Sequence, residues 1–344
     1  MPAVAPASVF VATSGHGLGH LSQVAPLINA LRARRSDLKV IVQSTVGEEQ
    51  IRERIPGYRT RVPIAPDLGI LMNGPMTVRH RGTFQAYETL HSHWDEALEF
   101  QKDLLRVHHA SLVIGDVPYL PLAAASALGI PAFGVCSLNW ADVFSHYCTD
   151  LDPMGASVID RQIRAAYDQA NAFFRCTPAM PMERLRKVRE IGPLVNAARP
   201  ARKALNEAIG AGTHDRIVLI SPGGMSWREQ PGGWPDLPGI HWLIPQGWRD
   251  LGPRCHRTSD LDLDFQTVVA SVDALITKPG YGLYTEAAQA GTPTMTLLRG
   301  DWPEEAFLLP WLRRWVPVEV IGAEQLMAGD IRDALRALLS AGRG

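Results

Sequence analysis

At 344 residues the chain is too long for one ordinary hydrophobic core, and its length predicts two domains of about 150–190 residues each. A net charge of −1 excludes a global field that would recruit nucleic acid or an acidic membrane, and 46% hydrophobic with 20% charged residues is the balance of a soluble globular protein. Four scattered cysteines without a C-x-x-C pair, no basic leader and no apolar run of about 18 residues argue against zinc, disulfide scaffolds and membrane spans, so the expected setting is cytoplasmic.

Taken in chain order, short apolar runs alternate with helical patterns. The strand candidates of the first half are Ser8–Thr13, Leu38–Ser44, Leu112–Gly115, Ala132–Val135 and Ala172–Cys176. Those of the second half are Arg216–Ser221, His241–Ile244, Ala274–Thr277, Thr294–Leu298 and Val318–Ile321. Helical patterns between them include Leu21–Arg35, Thr83–Val107, Leu120–Leu128, Ser157–Asn171, Thr285–Ala290 and Ile331–Leu339. This alternation reads as an α/β protein with two Rossmann-like, doubly wound parallel sheets facing one another. The hinge falls at Ile191-Gly192-Pro193-Leu194, giving domains 1–192 and 193–344, with the last helix free to pack back on the first domain.

In open parallel sheets ligands gather beyond the carboxyl ends of the strands, and the motifs fall there. The first strand runs into Ser14-Gly15-His16-Gly17-Leu18-Gly19-His20 and then a helix. The glycine spacing is not that of a dinucleotide fingerprint, and no acid closes the second strand, which ends in Gln43-Ser44, so NAD binding is rejected. A helix start lowers imidazole basicity and keeps a histidine neutral, which suits His20 as a general base; His16 either joins it or helps shape the turn. Asp116 ends a buried strand and enters the same cleft if its strand neighbours the first. There it would orient His20, cap the following helix, or do both. Ser221-Pro222-Gly223-Gly224 is a further glycine turn, suited to a diphosphate or simply to a tight turn.

Asp260-Leu261-Asp262-Leu263-Asp264 has the spacing of a D-x-D metal motif but precedes a helical segment at Phe265–Ser271, where capping and the helix dipole explain it; no metal is expected. The richest stretch is 278–305. A strand leads into Lys278-Pro279-Gly280-Tyr281-Gly282, a helix carries Glu286, and the next strand releases Asp301-Trp302-Pro303-Glu304-Glu305. Glycines admit an anion to a helix N-terminus, Lys278 adds a cation, and the carboxylates accept from vicinal hydroxyls. A diphosphate joined to sugars has that chemistry. Trp302, Phe307, Trp311 and Trp315 read as core and interdomain packing, although Arg313 and Arg314 leave a weak membrane-surface contact open.

Gly17-Leu18-Gly19-His20, the Gly192-Pro193-Leu194 hinge and Lys278 to Glu305 together resemble the GT-B glycosyltransferase superfamily, in motif order along nearly the whole chain. The nearest branch contains the glycosyltransferase-like half of arabinose kinases and the peptidoglycan N-acetylglucosaminyltransferases. The resemblance implies a metal-independent glycosyltransferase that needs no cofactor beyond its nucleotide-sugar co-substrate. It moves a hexose or pentose from a nucleoside diphosphate such as UDP to a small-molecule, glycan or lipid acceptor. By the same resemblance His20 is the base and Asp116 its partner, and Lys278, Gly280, Tyr281 and Gly282 meet the diphosphate, which the separate glycine turn at Gly223 and Gly224 also suits. Glu286 binds ribose, and Asp301 with Glu304 or Glu305 binds the sugar. His16 and Trp140 lie on the acceptor side, among loops near 65–90 and 137–155. Lysine stands at 278 where the related plant enzymes usually carry histidine. A nucleotide-sugar hydrolase or 2-epimerase, and a non-catalytic nucleotide-sugar binder, are the alternatives on the same fold.

Overall fold

The computed structural model describes residues 7–15, 17–73, 77–222, 237–249, 252 and 254–344. His16, Gly223 and Gly224 lie outside the described residues. The chain divides into two compact units, Met1–Leu194 and Val195–Gly344.

The first unit contains β1 (Ser8–Thr13), β2 (Lys39–Gln43), β3 (Thr60–Val62), a small antiparallel pair β4 (Met72–Asn73) and β5 (Thr77–Val78), β6 (Leu112–Asp116), β7 (Ala132–Cys136), β8 (Ala172–Cys176) and β9 (Val188–Ile191). Its main sheet has the order β3-β2-β1-β6-β7-β8-β9 and is parallel throughout. Every residue of β1 is buried, as a central parallel strand covered on both faces requires. The helix Gly19–Arg34 buries Leu21, Val24, Ala25 and Ile28, a stripe at spacings of three and four. That stripe packs with Val9, Val11, Val40 and Val42 in one core.

The second unit contains β10 (Arg216–Ser221), β11 (Ile240–Ile244), β12 (Cys255–Arg257), β13 (Ala274–Thr277), β14 (Thr294–Leu297) and β15 (Val318–Ile321). Its sheet runs β12-β11-β10-β13-β14-β15, again parallel throughout. Val218, Ile220, Trp242, Ile276 and Met295 form its core with Leu335 and Leu338 of the last helix, Arg332–Ala341. The last helix therefore serves the second unit's own core, its apolar stripe covering a sheet face where it arises.

Some sequence expectations need correction. The single helix expected over Thr83–Val107 is two helices, His80–Ser92 and Trp94–Val107. At the break the Ser92 hydroxyl, the His93 ring and the His93 backbone N–H all gather on the Thr89 carbonyl, and polar side chains that compete for a helix carbonyl end the helix. Of the aromatics expected in the core, Trp302 is buried, but Phe307 and Trp315 are exposed on the helix Glu305–Leu312 and just after it. Asp264 caps the helix Phe265–Ser271, accepting from the Thr267 N–H at 2.8 Å and the Thr267 hydroxyl at 2.7 Å.

Each sheet has one switch point, where strand order reverses about a central strand. In the first unit it lies between β1 and β6, in the second between β10 and β13. Ligand crevices form outside the carboxyl ends of the strands at such points.

Candidate functional site

At the first switch point the register pairs Thr13 of β1 with Asp116 of β6. The Ser14 N–H then donates to the Asp116 backbone carbonyl at 3.0 Å, so both chains leave the sheet together. Two glycines are needed to make the turn that follows. Gly17 has φ of +81°, in the left-handed region that side chains resist, and a Cβ on Gly15 would collide with the Thr45 side chain. This turn delivers His20 to the first turn of its helix. Its Nδ1 lies 2.9 Å from Oδ1 of Asp116, whose side chain is completely buried while that of His20 keeps 11% exposure. An ionised carboxylate only accepts, so Nδ1 carries the proton and Nε2 is left with its lone pair.

Gln23, one helical turn after His20, completes the arrangement. With its amide nitrogen toward the carboxylate it donates to both Asp116 oxygens at 3.2 and 3.3 Å, and its oxygen accepts from the Ser137 N–H and hydroxyl. The Cys136 sulfur, at the end of β7, lies 3.8 Å from His20 Nδ1. Burial pushes the Asp116 carboxyl up to about 6; the hydrogen bond and charge of His20, then Cys136, oppose that rise, and the charge of Asp67 adds to it.

Asp67 is a second acid at this site, reached by the stretch that follows β3. One oxygen accepts from the Ser14 hydroxyl at 3.0 Å and the other from the Trp140 indole N–H at 2.6 Å. Desolvation raises its carboxyl even though the residue keeps some surface, because protein packs densely around the head group; the Trp140 bond, the charge of His20 and the Ser14 bond oppose the shift. Trp140 is fully buried, with its ring edge-on to His20 at 5.8 Å between centroids. It is packed against the histidine as a wall. Sequence reasoning passed over Asp67, Gln23 and Ser14. The one available signal for Asp67 was an acid set between apolar residues just beyond a short strand.

At the second switch point β13 delivers Lys278, and the helix Tyr281–Ala290 starts behind Gly280. Gly280 is extended at φ −175°, and a Cβ there would meet nothing within 4 Å. Neither conformation nor packing demands glycine, so the turn fronts open space. No side chain caps the helix. The Lys278 ammonium makes no hydrogen bond or ion pair to any described residue. Burial brings it down to about 7, the charge of Arg299 lowers it further, and Glu304 and Glu305 oppose the shift. Arg299 follows β14 and lies over the Trp302 ring, 4.9 Å from its centroid. Glu286 is buried on the helix, its Oε1 accepting from Gln266 at 3.3 Å.

The acids at 301–305 separate into two kinds. Glu305 accepts from the backbone N–H of Arg299 at 2.9 Å and of Gly300 at 3.3 Å, and Glu304 accepts from the Trp302 indole at 3.2 Å. Both are buried and hold the loop in shape, and Gly300 turns that loop at φ +80°. Asp301 is exposed at its tip.

No known protein-family profile matches the sequence. The chain is 25% identical over 325 residues to L-arabinokinase of Arabidopsis thaliana, a match covering 91% of this chain and 30% of that protein. The chain thus spans less than a third of the length of the curated relative it matches. Among solved structures it is similar to the spinosyn forosaminyltransferase SpnP (TM-score 0.63, 15% identity, 98% of this chain and 91% of that one). It is also similar to the glycosyltransferase VinC in complex with dTDP (TM-score 0.62, 17% identity, 97% and 91%). A Listeria monocytogenes protein assigned as a UDP-N-acetylglucosamine 2-epimerase shares the architecture (TM-score 0.56, 12% identity, 97% and 89%). The chain has the GT-B fold, and its sequence resembles the arabinokinase branch as its motifs imply. Among the described residues no helix is long and apolar enough to cross a membrane.

Proposed function

We propose that this chain is a glycosyltransferase that moves a sugar from a nucleoside diphosphate to an acceptor hydroxyl or amine. The observation that carries the reading is Lys278: a largely desolvated cation beside Arg299, at an uncapped helix start on a sheet switch point, whose ammonium makes no hydrogen bond or ion pair to a described residue even though the charges of Glu304 and Glu305 reach it. Such a group calls for a bound anion, and a diphosphate supplies it. VinC, of the same fold, was solved with dTDP.

In the proposed reaction Lys278, Arg299 and the amides from Gly280 to Gly282 bind the diphosphate, together with the turn at Gly223 and Gly224. Glu286 accepts from the ribose hydroxyls, and Asp301, at the tip of the loop that Glu304 and Glu305 brace, accepts from the sugar. His20 Nε2 takes the acceptor's proton while Asp116 steadies the imidazolium. The acceptor atom bonds to the anomeric carbon, the carbon–oxygen bond to phosphate breaks, and the nucleoside diphosphate leaves on the cations. The charge it carries away is met by protein groups, so the proposed chemistry is metal-independent. The remaining histidine of the first glycine turn, His16, is assigned to acceptor binding on the strength of its sequence motif alone.

A panel of UDP- and dTDP-sugars, assayed for nucleotide release with and without acceptors, tests this. Acceptor-dependent release supports transfer. Free sugar without acceptor, or an epimerised sugar, would replace it with the hydrolase or epimerase reading. Stabilisation by nucleotide with no product would leave a binding protein.

A further inference from the structure

We propose that Asp67 is a positioning residue for His20: it tethers Trp140 against the imidazole and sets a second negative charge near the ring besides that of Asp116. The inference rests on His20 acting as a base, but its test does not need turnover. The geometry is a chain of contacts. Asp67 Oδ2 takes the Trp140 indole N–H at 2.6 Å, Oδ1 takes the Ser14 hydroxyl at 3.0 Å, and the Trp140 ring stands edge-on to His20. Asp116 ends β6 and Cys136 ends β7, and both reach the imidazole directly; Ser14, which leaves β1, and Asp67, beyond β3, join it through Trp140.

A carboxylate is an expensive way to satisfy an indole and a hydroxyl, because its charge must be desolvated. A neutral amide of the same shape would serve. Asparagine could keep its oxygen on the indole N–H while its NH₂ donates to Ser14, whose hydroxyl can act either way. The charge itself is what the amide would lack. Interaction between two titrating groups is reciprocal: the charge of His20 lowers the Asp67 carboxyl, so the Asp67 charge raises the His20 imidazole. Among the described residues the titratable groups around His20 are Asp116, Asp67 and Cys136. Two of them are acids that favour the protonated ring. The result is a stronger base than the Asp116 pair alone would make, and a wall of fixed position behind it.

The experiment is Asp67→Asn, with the His20 ring followed by NMR in protein labelled at histidine Cε1 and assigned with His20→Gln. The expected result is a His20 titration midpoint lower by about half to one pH unit. If transfer is established, the acidic limb of kcat should move with it while nucleotide affinity stays unchanged. A midpoint that does not move would overturn the proposal, whatever the activity. If Asp67→Asn does not fold, the reciprocal reading serves: the Asp67 carboxyl, followed by carbon-13 in wild type and in His20→Gln, should titrate higher without the histidine's charge, and an unmoved carboxyl would equally overturn the proposal. A lowered His20 midpoint in a protein that transfers no sugar would leave this inference standing and remove the transferase reading instead.

Discussion

At the first switch point every buried acid has donors supplied by the fold. Asp116 takes His20 and Gln23, and Asp67 takes Ser14 and Trp140. At the second, the acids are likewise engaged: Glu286 by Gln266, Glu304 by Trp302, Glu305 by the loop's own amides. The cation Lys278 is not. Stranding a cation in a desolvated place costs free energy, and the ammonium responds by holding its proton weakly. The contrast separates two ways of building a site. One is finished by folding and holds a base in a fixed tautomer. In the proposed reading the other is finished by a ligand of opposite charge.

The sharpest way to break this contrast is to remove the base. His20→Ala should lower the rate of transfer by about 10²- to 10⁴-fold, as loss of a general base does, with nucleotide affinity nearly unchanged. An equal loss in affinity would mean that the two switch points do not divide the labour. Next in size, Lys278→Met should weaken nucleoside diphosphates by about 10- to 100-fold, the range for a charge-assisted contact, and leave the His20 titration where it is.

Glu286→Ala should cost about tenfold for UDP, the worth of one hydrogen bond to a charged group, and less for dTDP, whose sugar lacks the 2′-hydroxyl. Equal losses for the two nucleotides would move Glu286 off the ribose. The smallest effect concerns stability. The folded-state carboxyl of Asp116 is raised from 3.8 to about 6, so its contribution is fully present below the unfolded value and lost as pH rises through 6. Asp116→Asn, measured by denaturant unfolding, should therefore gain on wild type as pH climbs from 4 to 7. A difference independent of pH would mean that His20 offsets the burial of the charge.

Much of the architecture was legible because central parallel strands are unbroken apolar runs. β1, β8, β10 and β13 begin and end where those runs do. The strands that escaped reading lie at or near the edges, where Val-Arg-Glu-Ile in β9 and Cys-His-Arg in β12 need no apolar face. His20 and Asp116 were legible because a glycine turn and a strand-ending acid are local features, and the parallel pairing of β1 with β6 brings them together. Asp67 was not legible. Its partners are 53 and 73 residues away in sequence, and only the topology makes them neighbours. Trp140 was noticed for its residue type, but its complete burial was not legible, since burial is a property of the packed unit. Glu304 and Glu305 show the same limit: the bonds they accept from the loop's own N–H groups are visible only once the loop is folded.

The most direct measurement is calorimetric titration of wild type and Lys278→Met with UDP and dTDP at pH 6.5 and 8.5. With an ammonium that titrates near 7, binding an anion takes up a proton, so wild-type affinity should fall from the lower pH to the higher. Lys278→Met should bind more weakly at both and show a flatter pH dependence. Binding of neither nucleotide by folded wild-type protein, or equal affinity in the two proteins at both pH values, would contradict the assignment of this switch point to a nucleoside diphosphate.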